Sequence, residues 1–173
     1  VGEESARERI LSDDELKAIW AALESPASYK VGREDEKRPL YMSKGVSIAL
    51  RLSLLTLQRR SEVAGMRVDE LRLDEAAWVI GGDRMKNGRP HLVPLSDQAV
   101  SLIREAMACQ DEPSPFVFPS PWRKLAGRPI DGGALSHALA DVYDALEIEG
   151  ANLHDLRRTG ASAMASERLM VPP

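Results

Sequence analysis

The stretch VSIALRLSLLTL, which runs from Val46 to Leu57, is mostly apolar. A helix formed here must be buried on most sides, because its apolar residues are too closely spaced to share one face: Ile48, Leu50, Leu52, Leu54 and Leu55. The segment from Arg59 to Met66 is predicted to be a second, short helix with Val63 and Met66 turned inward. The sequence therefore predicts a buried central helix that ends just before Arg59.

Helix and strand signals on either side complete the predicted fold. Ser12 to Glu15 is a capping box that starts a helix, and Pro26 marks its end. The largely polar segment from Ser25 to Arg38 is predicted to be a loop. Two strands are predicted, with the Asn87-Gly88 turn signal between them: Asp74 to Gly82 and Arg89 to Leu95.

Further helices are predicted after the strands. Ser96 caps a helix that reaches about Gln110, and Asn152 caps a last one through Met164. Between them, an amphipathic helix follows Gly132-Gly133 and places six residues on one face: Leu135, Ala138, Leu139, Val142, Tyr143 and Leu146. We therefore expect a single α+β domain, mainly helical with one small antiparallel β-sheet.

Composition favours one soluble globular domain, with 43% hydrophobic and 29% charged residues in a chain of 173. No apolar run reaches the roughly 20 residues needed to span a bilayer. A single cysteine, Cys109, excludes an intramolecular disulfide and is compatible with a reducing cytosol. The net charge of −4 does not by itself indicate a nucleic-acid binder. Basic residues nevertheless recur in short groups: Arg59-Arg60, Arg84 to Arg89, Arg123 to Arg128 and Arg157-Arg158.

The segment HDLRRT, from His154 to Thr159, carries the most chemical information. On a helix, His154 and Arg157 share a face. An imidazole moves protons near neutral pH, and a guanidinium presents paired donors that match phosphate oxygens. Together they suit a site where a phosphate gains negative charge in the transition state. The alternative is an exposed helix with ordinary polar residues, since short motifs often match by chance.

Arg59 and Lys86 fit the same chemistry. Arg59 is held rigidly after a buried helix, and Glu62, one turn on, can orient it; the alternative is a surface ion pair of little energetic value. Lys86 lies beside the Asn87-Gly88 turn. It can reach into a bound partner and donate a proton to a leaving alkoxide, or it can simply discourage edge-strand aggregation.

The order of these residues, Arg59, then Lys86, then His154 with Arg157, resembles the active-site order of phage-type tyrosine recombinases, or integrases. The surrounding sequence resembles the same family. Five segments carry this likeness in the family's order: Arg9 to Ser12, Leu54 to Val63, Met85 to Ser96, Phe116 to Ser120 and His154 to Thr159. The resemblance implies the family's catalytic-domain fold, that of DNA breaking–rejoining enzymes, in incomplete form.

The sequence departs from the family's pattern in two respects. Leu57 stands where the family usually has glycine, so we expect altered packing behind Arg59. The family continues with a Leu-Gly-His-type segment and then the nucleophilic tyrosine, whereas Tyr29, Tyr41 and Tyr143 fall at the wrong places. We therefore expect residues 1–173 to be a partial, inactive catalytic domain without the C-terminal His/Tyr segment and the N-terminal core-binding domain.

The resemblance implies site-specific DNA recombination and integration through a phosphotyrosine intermediate in the parent protein. Arg59 and Arg157 would bind the non-bridging phosphate oxygens, Lys86 would protonate the leaving 5′-oxygen, and His154 would assist proton transfer. Glu62 and Thr159 would give structural support. Because the covalent link retains the bond energy, this chemistry needs no cofactor, neither ATP nor a metal.

The implied partner is double-stranded DNA at attachment sites, with self-association into a synaptic tetramer in the parent. Phosphate contacts are expected from six further residues: Arg60, Arg84, Arg89, Arg123, Lys124 and Arg158. The expected location is the bacterial cytoplasm, with no membrane association, for a protein encoded by a bacterium or a phage.

Three alternatives remain open at this point. The first is a non-enzymatic DNA-binding domain on the same fold, against which the retention of Arg59, Lys86, His154 and Arg157 argues. The second is a type IB topoisomerase-like enzyme, against which the integrase-like context argues. The third is a helical protein with no role on nucleic acid.

Overall fold

The architecture is a helical body with two small antiparallel sheets. It is seen in a computed structural model that describes residues 9–33, 36–85, 87–122 and 127–170, with side chains of the last helix described to residue 162. The described helices are α1 Asp13–Glu24, α2 Lys44–Thr56, α3 Arg60–Ala64, α4 Asp97–Ala108, α5 Gly132–Ala145 and α6 Leu153–Met170. The strands are β1 Lys30–Val31, β2 Arg38–Pro39, β3 Leu71–Arg72, β4 Ala77–Ile80 and β5 His91–Pro94.

Helix α2 is the centre of the core, as predicted, and it contacts α1, α3, α4, α5 and α6. Ile48, Leu50 and Leu52 are fully buried in it. Its buried hydroxyls are satisfied by carbonyl oxygens: Ser47 Oγ donates to Leu23 at 2.6 Å, and Thr56 Oγ1 donates to Leu52 at 2.7 Å. Polar side chains therefore cost this helix little on burial, because each hydroxyl keeps a hydrogen bond.

The predicted helix starts are confirmed by their caps. Ser12 and Glu15 form both hydrogen bonds of the capping box, and Ser96 Oγ accepts from Ala99 N at 3.2 Å. Asn152 Oδ1 accepts from His154 N at 2.8 Å. Helix α6 extends past the predicted end at Met164, as far as Met170.

The sheets differ from the single one predicted. The polar segment predicted as a loop contains β1 and the start of β2, which pair so that Lys30 lies opposite Pro39. The strand predicted from Asp74 begins only at Ala77, because Leu73–Glu75 is a short 3₁₀ turn that leads into β4. Strand β4 then pairs with β3 as well as β5, in the order β3-β4-β5.

The connection between β4 and β5 is longer than a tight hairpin. Strand pairing ends where Ile80 lies opposite His91, and Gly82–Arg84 forms a 3₁₀ turn directly after it. The predicted turn at Gly88 is present, with φ of 68° and its N–H donating to Met85 O at 3.0 Å. Glycine suits this position because a positive φ carries no Cβ penalty.

The departure at Leu57 has a clear physical form. Leu57 ends α2 in the left-handed conformation, with φ of 55° and ψ of 24°, where glycine is normally favoured. Its side chain fills the space beside Gly160 of α6, since a Cβ added at Gly160 would lie 2.3 Å from Leu57 Cδ2. The expected change in packing behind Arg59 is therefore a contact with the helix that carries His154 and Arg157.

This contact predicts coupling between positions 57 and 160. Gly160→Ala should lower the free energy of unfolding by about 1–3 kcal/mol, because the added methyl group displaces Leu57. In a Leu57→Gly background the same change should instead stabilise by up to about 1 kcal/mol, through helix propensity. Urea denaturation of the four variants measures both effects.

Gly45→Ala in α2 is the matched control, because a Cβ there meets nothing within 4 Å. It should be neutral or stabilising in both backgrounds. An equal cost of Gly160→Ala with and without Leu57 would contradict the packing described here.

Candidate active site

A cavity of about 570 Å³ opens between α3, α5 and the start of α6. Three of the four residues predicted to be catalytic line it, namely Arg59, His154 and Arg157. Its apolar part is formed by Leu139, Ala140 and Tyr143 of α5, by Leu153 of α6 and by Ala151 in the connection between the two helices. The cavity therefore combines a cationic rim with an apolar floor.

Arg59 is fixed by its neighbour Glu62. Arg59 is the N-cap of α3, and its backbone N–H donates to Glu62 Oε2 at 2.7 Å. Its guanidinium Nη1 donates to Glu62 Oε1 at 2.8 Å. The Glu62 side chain is 6% exposed and that of Arg59 is 51% exposed. One half of the guanidinium is therefore anchored to a buried carboxylate while the rest faces the cavity.

The first turn of α6 presents His154 and Arg157 to the same cavity. Two hydrogen bonds fix this turn: Asn152 Oδ1 accepts from His154 N at 2.8 Å, and Oδ2 of the buried Asp155 accepts from Asn152 N at 2.9 Å. Both are local bonds of the kind that start helices. His154 is exposed and Arg157 is half-buried.

The chain before α1 holds α6 from the other side. Thr159 Oγ1, which is buried, accepts from Leu11 N at 3.0 Å and donates to Asp155 O at 2.8 Å. The Arg9 guanidinium donates to the carbonyl oxygen of Glu149 and pairs with Glu15. The support expected from Thr159 thus takes the form of a link between α6 and the segment from Arg9 to Leu11.

The predicted DNA-binding residues other than Arg84 divide into three groups. Arg60 and Arg89 are exposed, and Arg60 Nη1 donates to Ser136 Oγ at 2.5 Å beside the cavity. Arg158 is half-buried and has an interaction of its own. Lys86, the fourth predicted catalytic residue, lies outside the described residues, as do Arg123 and Lys124.

Arg84 differs from its prediction. Its side chain is 17% exposed and pairs with Glu70, whose side chain is 9% exposed. Its other nitrogen, Nη2, donates to the carbonyl oxygen of Glu62 at 2.8 Å. A guanidinium committed to two internal partners is not available for a DNA phosphate, so the predicted phosphate contact is corrected to an internal one.

Tyr143 lines the cavity, which the apolar helix face did not indicate. It is 5% exposed, and its hydroxyl donates to Asn152 O at 3.3 Å. Burial, with a smaller contribution from the Asp155 carboxylate, raises the pKa of Tyr143 well above its usual value. A raised pKa disfavours the phenolate, which argues against Tyr143 as a nucleophile, and its exclusion stays a prediction. Tyr41 is 82% exposed and, like the half-buried Tyr29, does not line the cavity.

The described part of the chain shows neither a candidate metal site nor a membrane-spanning helix. Within it, no group of three or more His, Cys, Asp and Glu residues could hold a metal ion. None of the helices described there has the length and hydropathy to cross a membrane.

Comparison with solved structures defines the class of fold as the catalytic domain of tyrosine recombinases. The crystal structure of XerA recombinase matches with a TM-score of 0.64 at 17% identity, over 90% of this chain and 50% of that one. A lambda integrase dimer bound to a COC′ core site matches with a TM-score of 0.65 at 17% identity, over 92% and 53%. The Tn1549 transposon integrase in complex with transposon right end DNA matches with 0.70 at 10% identity, over 96% and 56%.

Comparison of the amino-acid sequence with known proteins shows the family of this chain. Residues 9–171 match the model of the phage integrase family, and the chain therefore belongs to that family. Prophage integrase IntZ of Escherichia coli K12 is 30% identical over 128 residues, which are 74% of this chain and 27% of that protein. Prophage integrase IntA of the same strain is 37% identical over 86 residues, 50% of this chain and 20% of that protein. The chain thus spans about a quarter of the length of the curated relatives it matches.

The Arg59–Glu62 contact predicts that Glu62 matters for stability. Glu62→Gln should lower the free energy of unfolding by about 1–3 kcal/mol, because the buried carboxylate accepts two hydrogen bonds from one arginine. Glu75→Gln is the matched control: Glu75 also follows its arginine partner, Arg72, by three positions, but both side chains are at least 60% exposed. It should cost less than about 1 kcal/mol. Urea denaturation measures both, and equal losses would argue against a buried anchor for Arg59.

Proposed function

We propose that the whole protein breaks and rejoins DNA strands at specific sites through a phosphotyrosine intermediate. The observation that carries the proposal is the shared cavity of Arg59, His154 and Arg157. Membership of the phage integrase family supports it, as do the DNA complexes of the lambda and Tn1549 integrases.

In each step of the proposed reaction, one bond to phosphorus forms as another breaks, so the phosphate stays a diester. A tyrosine oxygen forms a bond to the phosphorus while the bond to the 5′-oxygen breaks, which leaves a 3′-phosphotyrosine and a 5′-hydroxyl. The 5′-hydroxyl of a partner strand then attacks, and the tyrosine leaves. Because bond energy is held in the covalent link, neither a metal nor ATP takes part in this scheme.

Each side chain has a role that suits its chemistry. Arg59 and Arg157 bind the non-bridging oxygens and stabilise the charge that develops there; a guanidinium anchored in advance needs little reorganisation to do so. His154 assists transfer of the tyrosine proton. Lys86 donates the proton that the departing 5′-oxygen takes up. Glu62 positions Arg59, and Thr159 positions the helix that carries His154 and Arg157.

The nucleophile is proposed to be a tyrosine outside residues 1–173, in a C-terminal His/Tyr segment. Tyr143 is buried with a raised pKa, and Tyr29 and Tyr41 do not line the cavity. We further propose a separate core-binding domain on the N-terminal side, and a synaptic tetramer on paired attachment sites. The relatives are integrases of Escherichia coli prophages and of phage P4, which supports the bacterial cytoplasm as the place of action.

DNA affinity in this proposal comes from phosphate contacts. The predicted contacts other than Arg84 are kept: Arg60, Arg89, Arg123, Lys124 and Arg158. Such contacts give affinity and register on the duplex without sequence information.

Residues 1–173 should bind duplex DNA weakly and with strong salt dependence. Replacing Arg59 and Arg157 together by alanine should lower the affinity and reduce the slope of log affinity against log salt by about 2. Fluorescence titration at several salt concentrations measures both quantities.

The matched control removes the same charge elsewhere. Arg72 and Arg104 are about 60% exposed and lie outside the cavity lining. Their joint replacement by alanine changes the net charge equally and should affect binding less. Equal effects of the two double variants would show that net charge, and not the cavity, governs binding.

Covalent chemistry is tested with a suicide substrate, a DNA duplex that contains the attachment site and carries a nick near the scissile phosphate. Residues 1–173 should give no protein–DNA adduct on a denaturing gel, whereas the full-length protein should give one. An adduct from residues 1–173 that disappears in Tyr143→Phe would overturn the assignment of the nucleophile. DNA binding without any adduct from the full-length protein would favour a non-enzymatic domain.

A further inference from the structure

We propose that Arg84 is a positioning residue: it fixes the start of the turn that carries Lys86. The inference rests on the proposed function, in which Lys86 protonates the departing 5′-oxygen. Arg84 acts through Lys86 and has no contact of its own with the DNA. Its contacts lie with the framework that also holds Arg59.

Arg84 is anchored by three hydrogen bonds to two partners. Its Nη1 donates to both carboxylate oxygens of Glu70, at 2.7 and 2.5 Å. Its Nη2 donates to the backbone oxygen of Glu62 at 2.8 Å. A planar guanidinium can make these bonds together, whereas the ammonium of a lysine is a single point of contact.

Glu70 is itself held in place, so it is a fixed anchor. Its Oε2 accepts from Trp78 Nε1 at 3.0 Å and from Arg67 N at 3.2 Å. Trp78 is fully buried in β4. Gly65 leaves room for the guanidinium, since a Cβ there would lie 2.8 Å from Arg84 Nη2. The surroundings of Arg84 are therefore built around its side chain.

This anchor divides the connection between β4 and β5. Strand pairing stops at Ile80 and resumes at His91, and Arg84 is tied down between them. Two backbone hydrogen bonds hold the chain around Arg84: Met85 N donates to Gly82 O at 3.1 Å, and Gly88 N donates to Met85 O at 3.0 Å. Arg84 is therefore tied to the framework two positions before Lys86 in the chain.

The same anchor connects the start of this turn to Arg59. Arg84 contacts the backbone of Glu62, and the Glu62 carboxylate holds the guanidinium of Arg59. The start of the turn and Arg59 therefore share one rigid frame. A general acid is effective only when it is held at the right distance from its oxygen, and a misplacement of about 1 Å can cost about 100-fold in rate.

The test separates proton donation from the rest of the site by changing the leaving group. In a 5′-bridging phosphorothiolate, sulfur replaces the departing oxygen, and a thiol with a pKa of about 8.5 leaves as a thiolate without a proton. The full-length protein is assayed for adduct formation on two nicked attachment-site duplexes. One has oxygen and the other has sulfur at the departing 5′ position. The variants are Arg84→Met combined with Glu70→Gln, and Arg84→Lys.

Glu70→Gln keeps the double variant foldable. It removes the charge that Arg84→Met would leave buried and unpaired, and the amide oxygen can still accept from Trp78 and Arg67. Circular dichroism and urea denaturation monitor folding. Arg67→Met is the matched control: the Arg67 side chain is 42% exposed and bonds to Asp69, while the Arg67 backbone N–H donates to Glu70. It should leave both rates unchanged.

The double variant should lose about 100-fold in adduct formation on the oxygen substrate and less than about threefold on the sulfur substrate. Arg84→Lys should lose less, with the same dependence on the leaving group. No loss, or equal losses on both substrates, would overturn the role of Arg84 while leaving the proposed function intact. If the unmodified protein forms an adduct with neither substrate, the proposed function falls and this inference falls with it.

Discussion

The packing of α2 on nearly all of its sides is the constraint on which the other helices depend. Five helices contact it, and its buried hydroxyls bond to carbonyl oxygens of α1 and of α2 itself. Because the helix cannot shift without disturbing all of these neighbours, its C-terminal end is a fixed point. Arg59 begins the next helix two residues beyond Leu57, and Leu57 packs on the helix of His154 and Arg157. The core thus sets both walls of the cavity.

The site is held by buried acids and not by its basic residues alone. Glu62 anchors Arg59, Glu70 anchors Arg84, and Asp155 closes the first turn of α6. Each of these carboxylates is largely buried: Glu62 and Glu70 hold arginine side chains, and Asp155 holds the backbone N–H of Asn152. This arrangement explains how a chain with a net charge of −4 can present cationic side chains at one place.

Sequence predicted those features that local signals determine. The caps at Ser12, Ser96 and Asn152 depend on residues within three positions, and the burial of α2 follows from its composition. The β1–β2 pair was not predicted, because strands of two residues are too short to show an alternating apolar pattern. The inward turn of Arg84 depends on Glu70, 14 positions away, and no local pattern reports such a pairing.

The cavity also has a consequence for the order of events in folding. Its walls come from Arg59 on one side and from α5 and the first turn of α6 on the other, and these segments are far apart along the chain. Contacts of such long range close late, because the intervening chain must be ordered before they form. In a chain whose long-range contacts are unformed, Arg59, His154 and Arg157 lie apart, and only the native fold places them in one cavity.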